Sequence, residues 1–450
     1  MLKTDTLTLA AVQQAMSAMS PLLSNRSRNM RYTFGDQWSD LVPDNTGRPV
    51  REGDYAAGAG THPITNNLIR PLVKTIVGRY RTDRAEYYKK TPLSAENSLA
   101  ELDARMLEEY LISGCAVQRI HPEERPERTG VWVDNVSPAQ FFVNRHYDPR
   151  GTDVTLVGMR HKMTLNDILN RFARGSRERV TDIVQAYAGT ETDSVSGLYS
   201  VLEVWTIDSA PMLACHDEDE GTVYDLPAAE AKAVTVENIS RRKRKLRGIR
   251  ATWYAPGHWH CRWLAPGGEV LDHYPSPFVH SSHPFAFKLY PLTDGKVHPF
   301  VEDLIEQQRA INRMVTLTDH MMATSAKGVL LFPVDAKMPD MKWEDITSRW
   351  SACDGVIPIR RSAEMPRQMT AGNFSSGVGE VLATQLELFR LTSGVSAVLT
   401  GQEVSASRGA SMYEQQVSNS VAAIADLLES FASLIELRNR KITATATKNH

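Results

Sequence analysis

Residues 409–440 read GASMYEQQVSNSVAAIADLLESFASLIELRNR, and Val417, Val421, Ile424, Leu428, Phe431 and Ile435 recur in them at intervals of 4-3-4-3-4. That is the period of one face of a helix, and its regularity marks a seam buried against something else. The something else is either the rest of this chain or another copy of it. These six residues are therefore candidates for a subunit interface, with an intrachain core as the open alternative.

Outward from this seam the chain alternates long helices with irregular pieces. Residues 393–408 (SGVSAVLTGQEVSASR) are small, polar and punctuated by glycine, the composition of a flexible connection. Before them, Val381, Leu382, Gln385, Leu388 and Phe389 predict a helix over about 377–392. Val329–Phe332 reads as a buried strand and Val356–Ile359 as a second short one. Pro299 opens a helical pattern reaching Ser325, with Leu304, Ile311, Val315, Thr318 and Met322 on one stripe. At 1.5 Å per residue that helix is roughly 40 Å long.

The texture differs between residues 201 and 295. Val201–Ile207 alternates as a strand does, and Thr252–Tyr254, His258–Trp263 and Val270–Tyr274 are aromatic, β-like pieces. This predicts a small β-rich module inserted in a larger body. Towards the N-terminus, Leu9, Val12, Met16 and Met19 predict a short amphipathic helix, not a signal peptide, followed by a polar turn over Ser24–Asn29. Helices are expected over 64–82, with a kink or a start at Pro71, and over 97–113, stopped at Gly114. Val131–Val133, Phe141–Val143 and Thr155–Lys162 read as strands, and Thr164 caps a helix through Phe172.

The 450 residues suggest two to four domains at ~150 residues each, or one large discontinuous one. Net charge is −2, so no global field draws the chain onto nucleic acid or an acidic membrane. Cys115, Cys215, Cys261 and Cys353 are scattered, which excludes a disulfide framework or zinc ribbon and suits a reducing compartment. No apolar run approaches the ~18 residues of a membrane helix.

The sequence contains no GxxxxGK[ST] phosphate loop, and Gly377-Val-Gly379 lacks the context of a dinucleotide fingerprint. His258, His260 and Cys261, with His280 and His283 downstream, are the right types for zinc, but on a strand Cys261 points away from the two histidines. No metal or other cofactor is expected. The acidic run Asp217–Glu220 could hold a divalent ion, though such loops are usually only solvated. Arg241, Arg242, Lys243, Arg244, Lys245, Arg247 and Arg250 form a basic patch, with Trp253, Tyr254, Trp259 and Trp263 nearby to stack on bases. Phosphate contact, docking of an acidic partner protein and a solvated face all remain open for it.

Four stretches, in order, resemble the portal proteins of short-tailed bacteriophages, the head-to-tail connectors. They are Tyr32-Thr-Phe-Gly-Asp-Gln-Trp38, Ile64–Arg79, Asp303–Arg313, and Thr392–Ser396 running through Gly401 and Gly409 into Gln415-Gln416. The resemblance implies an α+β, mainly helical portal fold with long stem and channel helices, a mixed α/β wing and a small β-rich inserted clip domain. Residues 1–200 would be the N-terminal part of the wing, 201–295 the clip, 296–327 the stem helix, and 328–392 the rest of the wing with a channel helix. Residues 393–408 would be the tunnel loop, touching DNA through Gln402, Ser405, Ser407 and Arg408. Residues 409–450 would form a long helix leading to a crown that is short or absent, since the sequence stops at His450.

Implied with the fold are a dodecameric ring at one capsid vertex, double-stranded DNA in its channel during packaging and ejection, and no catalysis. The implied partners are the terminase large subunit, the head-to-tail adaptor, the major capsid protein and the scaffolding protein. No membrane is involved, and the place of action is the virion, with the host cytoplasm during assembly. A lumen that lets DNA slide must not grip phosphates, which the near-zero charge and the small polar 393–408 segment suit. Two other readings stand beside it: a metal-dependent DNA-processing enzyme using the acidic loop or the histidines, and a nucleic-acid-binding protein acting through residues 241–250.

Overall fold

A computed structural model describes residues 2–58, 60–90, 92–190, 192–193, 196–209, 211–325, 329–351, 356–360, 364–369, 375–395 and 424–446. The chain is α+β. It divides into two compact units: Met1–Ser27, Val77–Phe300 and Ala425–His450 form the first, and Arg28–Ile76 with Val301–Ile424 the second. The discontinuity means that the chain leaves its first unit twice and returns to it with the C-terminal helix.

The first unit is built on a five-stranded antiparallel sheet. In spatial order its strands are Val270–Pro275, Gly257–Leu264, Tyr199–Ser209, Leu156–Met163 and Phe141–Val143. The central strand is apolar on both faces, as a strand sandwiched between two layers must be. Val201 and Trp205 face one core with Val157 and Cys261, while Leu202 and Val204 face another with Leu156 and Leu264. On the second face lies the helix Thr6–Phe34, through Val12 and Ala15. Gly158 is needed there: a Cβ would stand 2.6 Å from the Phe142 ring and 2.2 Å from the Glu203 carbonyl oxygen.

Two more layers complete this unit. The strands Phe285–Leu289, Cys115–Arg125 and Arg128–Asn135 form a second antiparallel sheet. The helix Leu99–Ser113 precedes it and ends at Gly114, whose φ of 67° is left-handed and whose N–H caps Tyr110. Leu165–Phe172 starts in a full capping box between Thr164 and Asp167.

The helix Ala425–Ala446 also packs into this unit. Phe431 meets Tyr80 and Tyr110 at centroid distances of 5.5 and 5.6 Å. Below it Arg438 is fully buried against Asp103, which also accepts hydrogen bonds from Tyr88 (2.7 Å) and Gln118 (3.0 Å). Phe431 and Ile435 thus lie in the chain's own core and are not open to another subunit, a correction to their reading as interface candidates. Apolar surface is spent once, and here the aromatic pair of the first unit covers it. Ile424 is buried as well and Leu428 is half-buried; Val417 and Val421 lie outside the described residues.

The second unit is knit by side-chain amides. The helix Glu302–Ser325 carries Gln308, Asn312 and Thr316 one turn apart, all buried. They face the extended segment 64–68, which pairs with no strand among the described residues. The Thr316 hydroxyl accepts from the Ile64 N–H (3.0 Å), Asn312 Oδ1 from the Asn66 N–H (3.0 Å) and Gln308 Oε1 from the Leu68 N–H (2.9 Å). Gln308 Nε2 donates to the Asn66 carbonyl (2.6 Å), and Asn312 Nδ2 donates to Gln37 Oε1 (2.6 Å). Around this row Glu52 takes Arg309 (2.9 Å) and Arg313, while Asp40 takes Arg28 and Arg31 (2.9 Å each). Three of the four stretches that carry the resemblance, 32–38, 64–79 and 303–313, therefore meet in one buried network.

Some expectations change. The N-terminal helix does not stop at residue 24 but continues to Phe34. Its polar stretch holds because Arg26 pairs with Glu109 (2.7 Å) and Arg28 with Asp40. The helix expected over 64–82 is Ile69–Lys90, with Pro71 in its first turn, where a missing N–H costs nothing. Val356–Ile359 is irregular, and the partner of Val329–Leu331 is Arg367–Met369.

Candidate functional site

The inserted module is narrower than residues 201–295. Tyr199–Ser209 and Gly257–Leu264 are neighbours in the five-stranded sheet, and the excursion between them runs from Met212 to Tyr254. It holds a three-stranded antiparallel sheet, ordered Arg250–Tyr254, Met212–Asp217, Thr222–Pro227, and the helix Ala231–Lys243. Leu213, Cys215, Val234 and Ile249 form its small core. Asn238 fastens the segment after the helix, accepting from the Ile249 N–H (2.6 Å) and donating to its carbonyl (3.0 Å).

The basic run is part of that helix. Arg241, Arg242 and Lys243 occupy its last turn, where the carbonyl end of the helix favours cations. The acidic loop lies opposite, and the two runs answer each other. Arg241 donates to Asp217 (2.7 Å) and Glu237 (3.2 Å), Arg244 to Glu237 (2.9 Å), and Arg247 (3.1 Å) and Arg250 (2.6 Å) to Glu218. Asp219 accepts the Arg247 N–H (2.7 Å). The Arg241 hydrogen bonds hold the Asp217 carboxyl below the usual carboxylate range. Four of the seven cations are thus paired inside the module, and Arg242, Lys243 and Lys245 are exposed. Apolar side chains are exposed on the same module: Val223, Val236, Ile239 and Trp253. Of the aromatic residues considered for base stacking, Trp263 is buried in the core and Trp259 half-buried, so only Trp253 and Tyr254 are available.

The histidines are dispersed. His258 is exposed, Cys261 faces the core with its thiol pushed well up by burial, and His283 is buried against Phe285 and Phe287. His260 instead stacks on His273 (5.3 Å between rings) beside Asp208, two residues that sequence spacing did not single out. The central strand also hides a charge among apolar neighbours. Glu203, fully buried, accepts from Arg119 (3.0 Å), His161 (2.7 Å) and Trp205 (3.0 Å). Burial raises its pKa, but Arg119 and the hydrogen bonds outweigh this and hold it ionised.

In the second unit the helices Glu302–Ser325 and Ser375–Ser393 pack together and leave Leu317, Met322, Val381, Leu388 and Leu391 exposed, Leu391 to 67%. Gln402, Ser405, Ser407 and Arg408, expected to line a channel, lie outside the described residues. No helix among the described residues is long and apolar enough to cross a membrane. Comparison with known protein families and with curated proteins finds no match for this chain.

Proposed function

We propose that this chain is one subunit of a homo-oligomeric ring of the bacteriophage portal type, through which double-stranded DNA is packaged and ejected. One observation carries the reading: the two long helices of the second unit pack together yet leave five apolar side chains in water. Covering each is worth about 1–2 kcal/mol, and a ring of identical copies covers them on every subunit at once. The ring acts as a conduit rather than an enzyme, at a capsid vertex of the virion after assembly in the host cytoplasm. Capsid and scaffolding proteins surround it there.

The Met212–Tyr254 module is the docking platform for the terminase motor and the tail adaptor. It exposes the apolar Val236, Ile239 and Trp253 together with the cations Arg242, Lys243 and Lys245, a combination that fits a protein with an acidic rim better than a phosphate backbone. The two competing readings lose their residues to each other. Asp217 and Glu218 are engaged by arginines and are poorly placed to hold a nuclease metal, and three of the cations that would grip phosphate, Arg241, Arg247 and Arg250, are paired with them. The test is light scattering of the purified full chain. A uniform particle of many subunits is expected; a single-subunit mass at high concentration would end the proposal.

A further inference from the structure

Three neighbouring strands of the large sheet bring a set of donor atoms together on one face. His260 lies opposite Thr206 on one side and Pro275 on the other, and Arg262 lies opposite His273. Side chains two residues apart on a strand share a face. Asp208 and His273 are therefore both diagonal neighbours of His260. Their ligand atoms and that of His260 all lie within 4.8 Å of one another. A second observation is independent of this spacing: His260 Nδ1 is buried and has no hydrogen-bond partner. A ring nitrogen left so costs free energy unless something occupies its lone pair or takes its proton.

We propose that Asp208, His260 and His273 bind one divalent transition-metal ion of the zinc class, clasping the strands Tyr199–Ser209, Gly257–Leu264 and Val270–Pro275. Two imidazoles and a carboxylate suit zinc, cobalt or nickel, whereas magnesium and calcium prefer oxygen throughout. Three protein ligands leave a fourth position for water or a partner's side chain. Arg262 holds the carboxylate in place, donating to Asp208 Oδ2 (2.6 Å), and Thr206 donates to Oδ1 (3.2 Å); bound carboxylates are commonly fixed in this way. Asp5, 3.3 Å from Arg262, offsets the guanidinium, so the local charge favours a cation. The site does not depend on the ring reading.

The experiment is calorimetric titration of zinc chloride into the metal-stripped full chain. The expected result is one tight site per chain, weakened at least tenfold in Asp208→Asn, His260→Ala and His273→Gln and unchanged in His216→Ala, an exposed histidine of the inserted module. His273 is exposed, so its variant folds even if that at His260 does not. Cobalt(II) in place of zinc gives visible d–d bands in the wild type that His273→Gln abolishes. The proposal is overturned if zinc does not bind, if binding survives His273→Gln, or if His216→Ala removes it equally.

Discussion

Gln308→Leu tests whether side chains of the Glu302–Ser325 helix stand in for a missing strand. The substitution keeps the volume and removes three hydrogen bonds: those with the Leu68 N–H (2.9 Å), the Asn66 carbonyl (2.6 Å) and Asn312 Oδ1 (3.1 Å). A buried polar group left unsatisfied costs about 1–3 kcal/mol. Gln308 is fully buried, but the 64–68 segment is partly open, so water can reach some of the freed groups. The middle of the range then applies rather than its top, and the variant should lose about 2 kcal/mol, roughly a 30-fold shift towards the open form. Hydrogen exchange read by mass spectrometry on peptides covering 64–68 is the assay, since the Leu68 amide is protected by this one side chain. Exchange accelerated by less than about threefold would refute the idea that Gln308 satisfies that main chain.

Phe431→Ala should cost about 3–5 kcal/mol in denaturant unfolding, because a fully buried ring between Tyr80 and Tyr110 leaves a cavity. Lys441 is buried, donates to the His283 carbonyl, and burial pushes its pKa down to about 7. Between pH 7 and about 10 the unfolded chain holds that proton and the folded chain does not, so stability should rise by up to about 1.4 kcal/mol per pH unit there. Urea titrations across that range should lose this slope in Lys441→Met. Arg241→Ala leaves Asp217 without its guanidinium, and limited proteolysis should cut the Met212–Tyr254 module faster while the five-stranded sheet stays intact. Met322→Asp with Leu391→Asp should shift light-scattering mass from ring to small species without changing the circular dichroism of the subunit.

What could be read in advance was local. Thr164 before a helical run, Gly114 after a periodic run and Pro71 in a first turn each act within a few residues, and each marks an observed helix end. Strands 201–207 and 258–263 were legible because their aromatic and β-branched residues recur within the strand itself. What escaped needed partners distant in sequence. Nothing near Arg241 announces that Asp217 will neutralise it, and nothing near His260 announces His273 and Asp208, which register alone brings beside it. Glu203 looked like an ordinary member of an alternating strand, and only Arg119 and His161 from two other strands make its burial tolerable. The 4-3-4 seam was legible as a seam, but a spacing cannot say what covers it. Tyr80 and Tyr110 do so at Phe431.

Electron microscopy of the purified full chain in negative stain is the most direct trial of the conduit reading. Closed rings of uniform subunit number around a stain-filled hole wide enough for a DNA duplex are the predicted image. A field of isolated compact particles, or of rings with no opening, would contradict it.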